Sequence, residues 1–120
     1  MGQTVPLWIQ RTDVVAGASL PLFSDVMDAA NVDSFTLFIN VGAIDAGAVV
    51  TLQMQHGLDP NIMTDVGSSV AASGNGNTAG IVGGQASGST VAVGPLVRVK
   101  ASISGTAGKV ITWSASVTAR

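Results

Sequence analysis

Four stretches of the sequence alternate apolar and polar side chains with a period of two residues. They begin at Phe35, Val50, Val97 and Ile111, and their polar members are mostly Ser, Thr, Asn and Gln. Successive side chains of an extended strand point to opposite faces of a sheet, so this period indicates strands with one buried and one exposed face. The chain is therefore predicted to build β-sheets over a shared apolar core.

Short glycine-containing connections follow the first and the third of these strands. Residues 42–47 join the strands that begin at Phe35 and Val50, and residues 105–108 join the later two. Glycine permits the positive backbone angles of tight reversals. We therefore predict two hairpins.

Weaker strand signals precede these segments. Residues 5–11 alternate in the same way, and residues 20–27 form a short strand interrupted by Pro21. Pro6 and Pro21 suit edge positions, where a missing N–H group breaks no ladder. Residues 28–31 are compatible with one helical turn before the strand at Phe35.

The segment 67–94 is rich in Gly, Ser, Ala and Asn and leaves two interpretations open. It is either a long mobile loop or a pair of short strands around residues 81–82 and 91–93. Short strands are favoured, because a structureless loop of this length is uncommon inside a compact domain.

Together these signals predict an all-β fold, a single-domain antiparallel β-sandwich of six to eight short strands, either immunoglobulin-like or jelly-roll-like. A chain of 120 residues without cysteine must rely on its apolar core. Residues 1–19 are predicted to form an N-terminal arm or edge strand, and residues 20–120 the sandwich.

The charge content argues against several partners. Charged residues make up 10% of the chain and the net charge is −2, so no basic field is available for nucleic acid or an anionic membrane. The uncharged run 66–97 is broken by Gly, Ser, Asn and Pro and cannot form a membrane helix. With 47% hydrophobic residues, the surface is expected to be covered by a neighbour.

No pattern of catalytic, cofactor-binding or metal-ligating residues emerges, and the chain is not expected to be an enzyme. His56 fits a structural strand-end position. The glycines at 74–79 match a loose dinucleotide fingerprint, but no helix is expected after them. Residues 59–65 resemble the start of a calcium loop and then lose its glycine and its final glutamate, so a turn at Asp59-Pro60 is preferred.

The N-terminal strand and one aromatic residue are the candidate interaction residues. Trp8 has the opposite parity to the core set, so it either contacts a neighbour or belongs to an ordinary core. Phe38 lies on the supposedly wet side of its strand, which places it between sheets or at an interface. The predicted interaction residues are Val5, Leu7, Trp8, Ile9, Arg11 and Phe38.

Several quoted stretches form a layout that resembles a known group of proteins. They are Ser24-Asp25-Val26, residues 35–39, residues 51–59, residues 63–66, Gly94-Pro95 with the strand to Lys100, and residues 104–108 with the final strand. Over residues 20–120 this layout resembles the small β-sandwich virion proteins of tailed bacteriophages, which include capsid decoration (cement) proteins.

The resemblance implies a structural protein of the virion, assembled in the host cytoplasm, that binds the major capsid protein of a phage head as a homo-oligomer, by family likeness a trimer. It implies no catalytic residue. The alternative is a tail or fibre module that binds carbohydrate or a receptor through residues 67–94, although the chain lacks an aromatic after Leu58-Asp59. A hydrolase with a carboxylate pair is the third hypothesis.

Overall fold

The computed structural model describes residues 3–15, 21–29, 32, 34–86, 89–91 and 94–119. Within these residues the chain forms eleven strands. They are β1 (Gln3–Val14), β2 (Leu22–Phe23), β3 (Met27–Asp28), β4 (Ser34–Ile44), β5 (Ala48–Asp59), β6 (Ile62–Asp65), β7 (Val70–Ala72), β8 (Gly76–Ala86), β9 (Ser89–Val91), β10 (Leu96–Gly105) and β11 (Val110–Ala119). No helix in the described part of the chain has the length and apolarity needed to cross a membrane.

The strands form two antiparallel sheets packed over one core. Sheet 1 has the order β1-β11-β4-β8-β9, and sheet 2 has the order β2-β10-β5-β6. Strand β3 also pairs with β10, and β7 also pairs with β5. Strands β2 and β3 occupy one position at the edge of sheet 2, and β6 and β7 occupy another. When β9 is counted with its hairpin partner β8, the eleven strands fill eight positions, in the order of a jelly roll. The predicted all-β sandwich is confirmed, with the jelly-roll arrangement.

The two predicted hairpins are wrong. Strand β4 pairs with β11 and β8, whereas β5 pairs with β10, β6 and β7, so β4 and β5 belong to different sheets. Strands β10 and β11 are separated in the same way. The connections 45–47 and 106–109 therefore cross from one sheet to the other. A hairpin strand and a crossing strand both have one apolar face, so the alternation alone does not distinguish them.

The two crossings interlock at one end of the sandwich. The backbone N–H of Asp45 donates to the carbonyl oxygen of Val110, and the N–H of Val110 donates to Asp45 Oδ2, both at 2.9 Å. The N–H of Thr106 donates to the carbonyl oxygen of Gly47 at 2.7 Å. Gly47 and Gly105 have φ angles of 95° and 119°, which glycine adopts without strain. Each crossing thus holds the other in place.

The apolar faces of the long strands form the core. Trp113 is the largest of the fully buried side chains, and it lies among aliphatic residues of both sheets. The largest fully buried side chains of the core are Leu37, Ile39, Val50, Leu52, Met54, Val82, Val97, Val99, Ile111, Trp113 and Val117. The period-two strands of the sequence thus supply the inward faces of both sheets.

The remaining fold predictions have mixed outcomes. The described part of the glycine-rich segment forms strands, as favoured, and β8 is longer than expected, with eleven residues, while residues 92 and 93 of the second predicted strand lie outside the described residues. Pro6 lies on the edge strand β1, and Pro21 directly precedes the edge strand β2. Residues 30 and 31 of the predicted helical turn lie outside the described residues, while the N–H of Val32 donates to the carbonyl oxygen of Ala29 at 3.1 Å.

The indole of Trp113 obtains its hydrogen-bond acceptor from Asp13 on β1. Trp113 Nε1 donates to Asp13 Oδ2 at 2.7 Å, and Arg11 donates to both oxygens of the same carboxylate at 3.1 and 3.2 Å. Burial raises the pKa of Asp13, but the hydrogen bonds from Arg11 and Trp113 and the charge of Arg11 outweigh it, so this pKa lies below the ordinary aspartate value. The largest core side chain is therefore satisfied by a charged group at the sheet edge.

Replacing Asp13 with alanine leaves the buried indole N–H without its acceptor. We expect the Asp13→Ala variant to lose about 1–3 kcal/mol of unfolding free energy at pH 7, measured by urea denaturation. The exposed Asp25→Ala variant is the matched control and changes stability by less than about 0.5 kcal/mol.

The loss depends on pH with a defined sign. A lowered pKa in the folded state means that the carboxylate stabilises above the unfolded pKa of about 3.9 and loses this contribution as pH falls through the folded value. The difference between wild type and Asp13→Ala therefore shrinks in acid. A difference that stays constant down to pH 2 contradicts the charged role of Asp13.

The interlocked crossings predict different costs for two glycines of the same connection. At Gly108 an added Cβ meets no other atom, so Gly108→Ala loses only the cost of a left-handed backbone, about 1–2 kcal/mol of unfolding free energy. At Gly105 an added Cβ also overlaps the carbonyl oxygen of Gly47, and such overpacking adds about 1–3 kcal/mol. Equal urea midpoints for Gly105→Ala and Gly108→Ala would contradict the close contact between the two crossings.

Candidate interaction face

The outer surface of sheet 1, here called the front face, has no charged side chain among the described residues. Its members alternate with the core residues of the same strands or lie beside them after a register shift. They are Thr4, Pro6, Ile9, Gln10, Thr12 and Val14 on β1; Val110, Thr112, Ser114, Ser116 and Thr118 on β11; Ser34, Thr36, Phe38, Asn40 and Ala43 on β4; and Asn77, Ala79 and Ile81 on β8.

The polar members of the front face pair with each other across strands. The hydroxyls of Thr4 and Thr118 lie 2.9 Å apart, and those of Thr12 and Thr112 lie 3.0 Å apart. On the same face, between β4 and β8, Asn40 Nδ2 donates to Asn77 Oδ1. Neutral hydrogen bonds thus occupy positions that charged residues take on many exposed sheets.

The outer surface of sheet 2, here called the back face, carries the charge instead. Arg98 donates to Gln55 Oε1 at 2.8 Å, and Gln55 Nε2 donates to Asp65 Oδ1 at 2.9 Å. Lys100 lies 3.4 Å from the same carboxylate. The hydrogen bond from Gln55, together with Lys100, holds the pKa of Asp65 below its usual value although burial opposes this. Arg98 also stacks over the ring of Phe23, 4.2 Å from its centroid.

The two faces therefore differ in the free energy that they lose when a partner displaces the water on them. A charged network keeps its hydration, and the back face carries one. The front face can be dried without removing any ion from water, which is the costly step in burying a polar surface. Depletion of charge is also what distinguishes the centre of protein interfaces from other surfaces. The front face is thus the better candidate for contact with a partner.

A groove of about 480 Å³ crosses the front face from β1 to β8. Its apolar wall includes Pro6, Trp8 and Ile9 on β1 and Phe38 on β4. The side chains of Ile9 and Phe38 are 75% and 38% exposed. Its polar lining consists of Asn40, Asn77, Ser114 and Ser116.

Two irregularities of β1 shape this groove. From Pro6 to Arg11 strand β1 takes five residue steps, while its partner β11 takes three, from Ser116 to Trp113. The extra residues lie at Leu7 and between Ile9 and Gln10, and Gln10 has a φ of 43°, unusual for a residue with a side chain. Such bulges bend an edge strand and re-aim its side chains.

The bulge at Leu7 changes the position predicted for Trp8. An unbroken alternation places Trp8 on the side opposite the core, but the bulge brings it into register with the inward-facing Ala115. Its ring lies 5.5 Å from that of Trp113, at an angle of 51°. Trp8 therefore packs against the core and also lines the groove, so the two alternatives for this residue are not exclusive.

The other predicted interaction residues divide into two groups. Ile9 and Phe38 line the groove together with Trp8. Val5 and Leu7 are half-buried against the core, and Arg11 is engaged by Asp13. The role of these six residues in contacting a partner stays a prediction.

The polar half of the groove was not predicted. Asn40, Ser114 and Ser116 are polar members of the alternating strands, and Asn77 belongs to the glycine-rich segment. Their assembly into one lining depends on the pairing of β4 with β11 and β8. No local sequence signal reports that pairing.

The residues weighed for chemistry have structural contacts. His56 Nδ1 accepts a hydrogen bond from the N–H of Gly94 at 2.7 Å, which gives His56 the predicted structural role, although it lies within β5 and not at its end. Asp59 Oδ1 accepts from the N–H of Asn61 at 2.9 Å, which confirms the turn. Residues 76–79 of the glycine fingerprint belong to strand β8 and do not begin a helix. The expectation that the chain has no catalytic residue stays a prediction.

Comparisons with known proteins identify the fold and no family. No protein-family model matches the sequence, and no curated protein matches it either. Among solved structures, the chain is similar to the infectious bursal disease virus Gx strain (TM-score 0.54, 14% identity, 99% of this chain) and to the VP2 subviral particle of that virus (0.50, 15%, 99%). A T13 viral particle of the virus gives a TM-score of 0.52 at 16% identity over 98% of the chain.

This likeness concerns one part of the viral proteins. The chain spans between 30% and 32% of their length. At these identities the similarity establishes a shared fold alone. The sandwich of this protein is thus a fold that also occurs in viral capsid structures.

The exposure of Phe38 on the front face predicts that folding depends little on it. We expect Phe38→Ala to lower the free energy of unfolding by no more than about 1 kcal/mol, while its neighbour Leu37→Ala, fully buried, loses about 2–5 kcal/mol. Urea denaturation of both variants provides the measurement. Equal losses would assign Phe38 to the core and remove the reason to look for a partner at this position.

Proposed function

We propose that this protein is a structural component of a virus particle, and specifically a decoration protein that binds the outer head lattice. Its partner is the major capsid protein, and many copies bind one particle. Their contacts are mainly apolar and uncharged, and they stabilise the lattice by binding, without catalysing a reaction.

The single observation that carries this proposal is the uncharged front face, which extends across β1, β11, β4 and β8. Ile9, Phe38 and Ile81 are exposed on this face, and apolar surface rimmed by polar residues is typical of interaction sites. The fold shared with viral capsid structures supports the same assignment.

The sheet edges support contact through a face and not through strand addition. Strand β1 is interrupted by Pro6 and by two bulges, and the edge positions of sheet 2 are taken by strands of two to four residues. Proline, bulges and short strands all hinder pairing with another chain. At β1 and at both edges of sheet 2, contact through a face of the sandwich is therefore favoured over strand addition.

The proposed mechanism is adhesion by burial. A large apolar side chain that is fully dried contributes about 1.5–3 kcal/mol. One copy with two or three such residues binds weakly, but copies linked to each other on a closed lattice gain from avidity. Because no charge of the front face takes part, added salt has little to screen.

One observation favours a second function, a carbohydrate-binding module of a tail or fibre. The groove places the aromatic residues Trp8 and Phe38 beside the amides of Asn40 and Asn77. Aromatic ring faces and neutral amides are typical of protein sites that bind a neutral sugar ring. Binding of the purified protein to a glycan array, without binding to particles, is the result that would select this alternative.

The decoration role is tested by sedimentation of the purified protein with particles of the virus that encodes it, assembled in cells from which the gene for this protein has been deleted. We expect the wild type to sediment with particles that lack it, and to stay bound when the salt concentration is raised to about 1 M, where the Debye length is about 3 Å. Wild-type protein that remains in the supernatant, or that is released by salt, contradicts the proposal.

A matched pair of variants locates the contact. Ile81→Asp places a charge on the front face outside the groove, and Ser102→Asp places the same charge on the back face. We expect Ile81→Asp to weaken particle binding at least tenfold and Ser102→Asp to leave it unchanged. The reverse result would place the lattice contact on the back face.

A further inference from the structure

The hairpin between β5 and β6, here called the tip, exposes two large aliphatic side chains. Leu58 is 84% exposed and Ile62 is 71% exposed, which ranks them first and third, with Ile9 second, among the large apolar side chains whose exposure the structure describes. Only the turn residues 60 and 61 separate the two strands at this end. The tip therefore presents a small apolar knob.

A bulge in the backbone of β5 accounts for the exposure of Leu58. Between His56 and Asp59 strand β5 has two residues, while between Thr64 and Ile62 strand β6 has one. A Cβ added at Gly57 would overlap the carbonyl oxygen of Ile62, so this bulge requires glycine. The bulge interrupts the alternation just before Leu58, at the end of the strand where the core has ended.

The tip and the groove lie on different sides of one molecule. The tip belongs to sheet 2, whereas the groove opens on the front face, which points away from sheet 2. The knob of one chain therefore has no access to the groove of the same chain. A second copy brings the two surfaces together.

The two surfaces match in size, polarity and charge. The groove of about 480 Å³ has an apolar wall made by Pro6, Trp8, Ile9 and Phe38, which suits one or two aliphatic side chains. No carboxylate lines the groove, and its amide and hydroxyl groups can replace the hydration of Asp59 at the tip, which limits the cost of drying that charge. Oxygen acceptors and such donors form favourable hydrogen bonds.

We propose that the tip of one copy, with Leu58 and Ile62, inserts into the front-face groove of a second copy. The contact joins unlike surfaces, so each copy still offers a free tip or a free groove. Such head-to-tail contacts close into rings when the rotation permits and otherwise extend as chains. Copies around a lattice axis would be linked in this way, with the β8 side of the front face left for another partner.

The proposal concerns the purified protein and does not depend on the presence of a particle. A tip variant carries Leu58→Asp and Ile62→Asp, and a groove variant carries Ile9→Asp and Ser116→Asp; all four positions lie outside the buried core. Circular dichroism and urea denaturation check that both variants keep the wild-type fold. Light scattering after gel filtration then gives the molar mass of each.

We expect wild type to associate into a ring or chain, and each variant alone to be a monomer. An equimolar mixture of the two variants contains one intact tip and one intact groove, so it forms a dimer of one copy of each and nothing larger. Contact between like surfaces cannot give this result. Ile81→Asp, on the front face outside the groove, leaves self-association unchanged.

Three results would overturn the proposal. They are a wild type that stays monomeric at the highest attainable concentration, a mixture of the two variants that stays monomeric, and loss of association in Ile81→Asp. None of them bears on particle binding, which the sedimentation experiment measures separately.

Discussion

Strands β4, β5, β10 and β11 each have one apolar face, and that constraint organises the rest of the structure. A sheet with one apolar face is stable in water only when another layer covers it. Here the second layer is the other sheet, with Leu37 and Ile39 on one side and Leu52 and Met54 on the other, all without measurable exposure. Trp113 fills the space between them near the β1 edge, and its N–H reaches Asp13. The outward faces are then free to differ.

The difference between the outward faces is the basis of the proposed role. Lys100, Arg98 and Asp65 lie together on the back face, where Gln55 links them into one network. The front face carries neutral ladders of threonine and asparagine around an apolar groove. A chain with 10% charged residues has few charges to distribute, and the fold concentrates those of its strands on the back face and at the ion pair beside Trp113. A face without ions loses little when it is dried, and that favours contact with a neighbour.

The strands and the direction of their side chains were largely predictable. The alternation at Phe35, Val50, Val97 and Ile111 marks β4, β5, β10 and β11, because the orientation of a side chain in a strand depends on its immediate neighbours. The choice between loop and strand at 67–94 was also correct, since a compact domain rarely tolerates so long an irregular segment. The bulge at Leu7 interrupts the alternation, so the alternation does not predict the side of the sheet on which Trp8 lies.

By itself, the sequence determined that this chain forms a sandwich with one core and a weakly charged surface, because period two and composition are local properties. The tertiary structure alone decided which strands pair. The connections at Gly47 and Gly105 turn between sheets and not within one, because β4 gains its partners from β11 and β8, residues more than thirty positions away. That pairing, and the bulges of β1, bring Ile9, Phe38 and Asn77 to one groove. Hydrogen bonds between distant strands set such positions, and no local pattern records them.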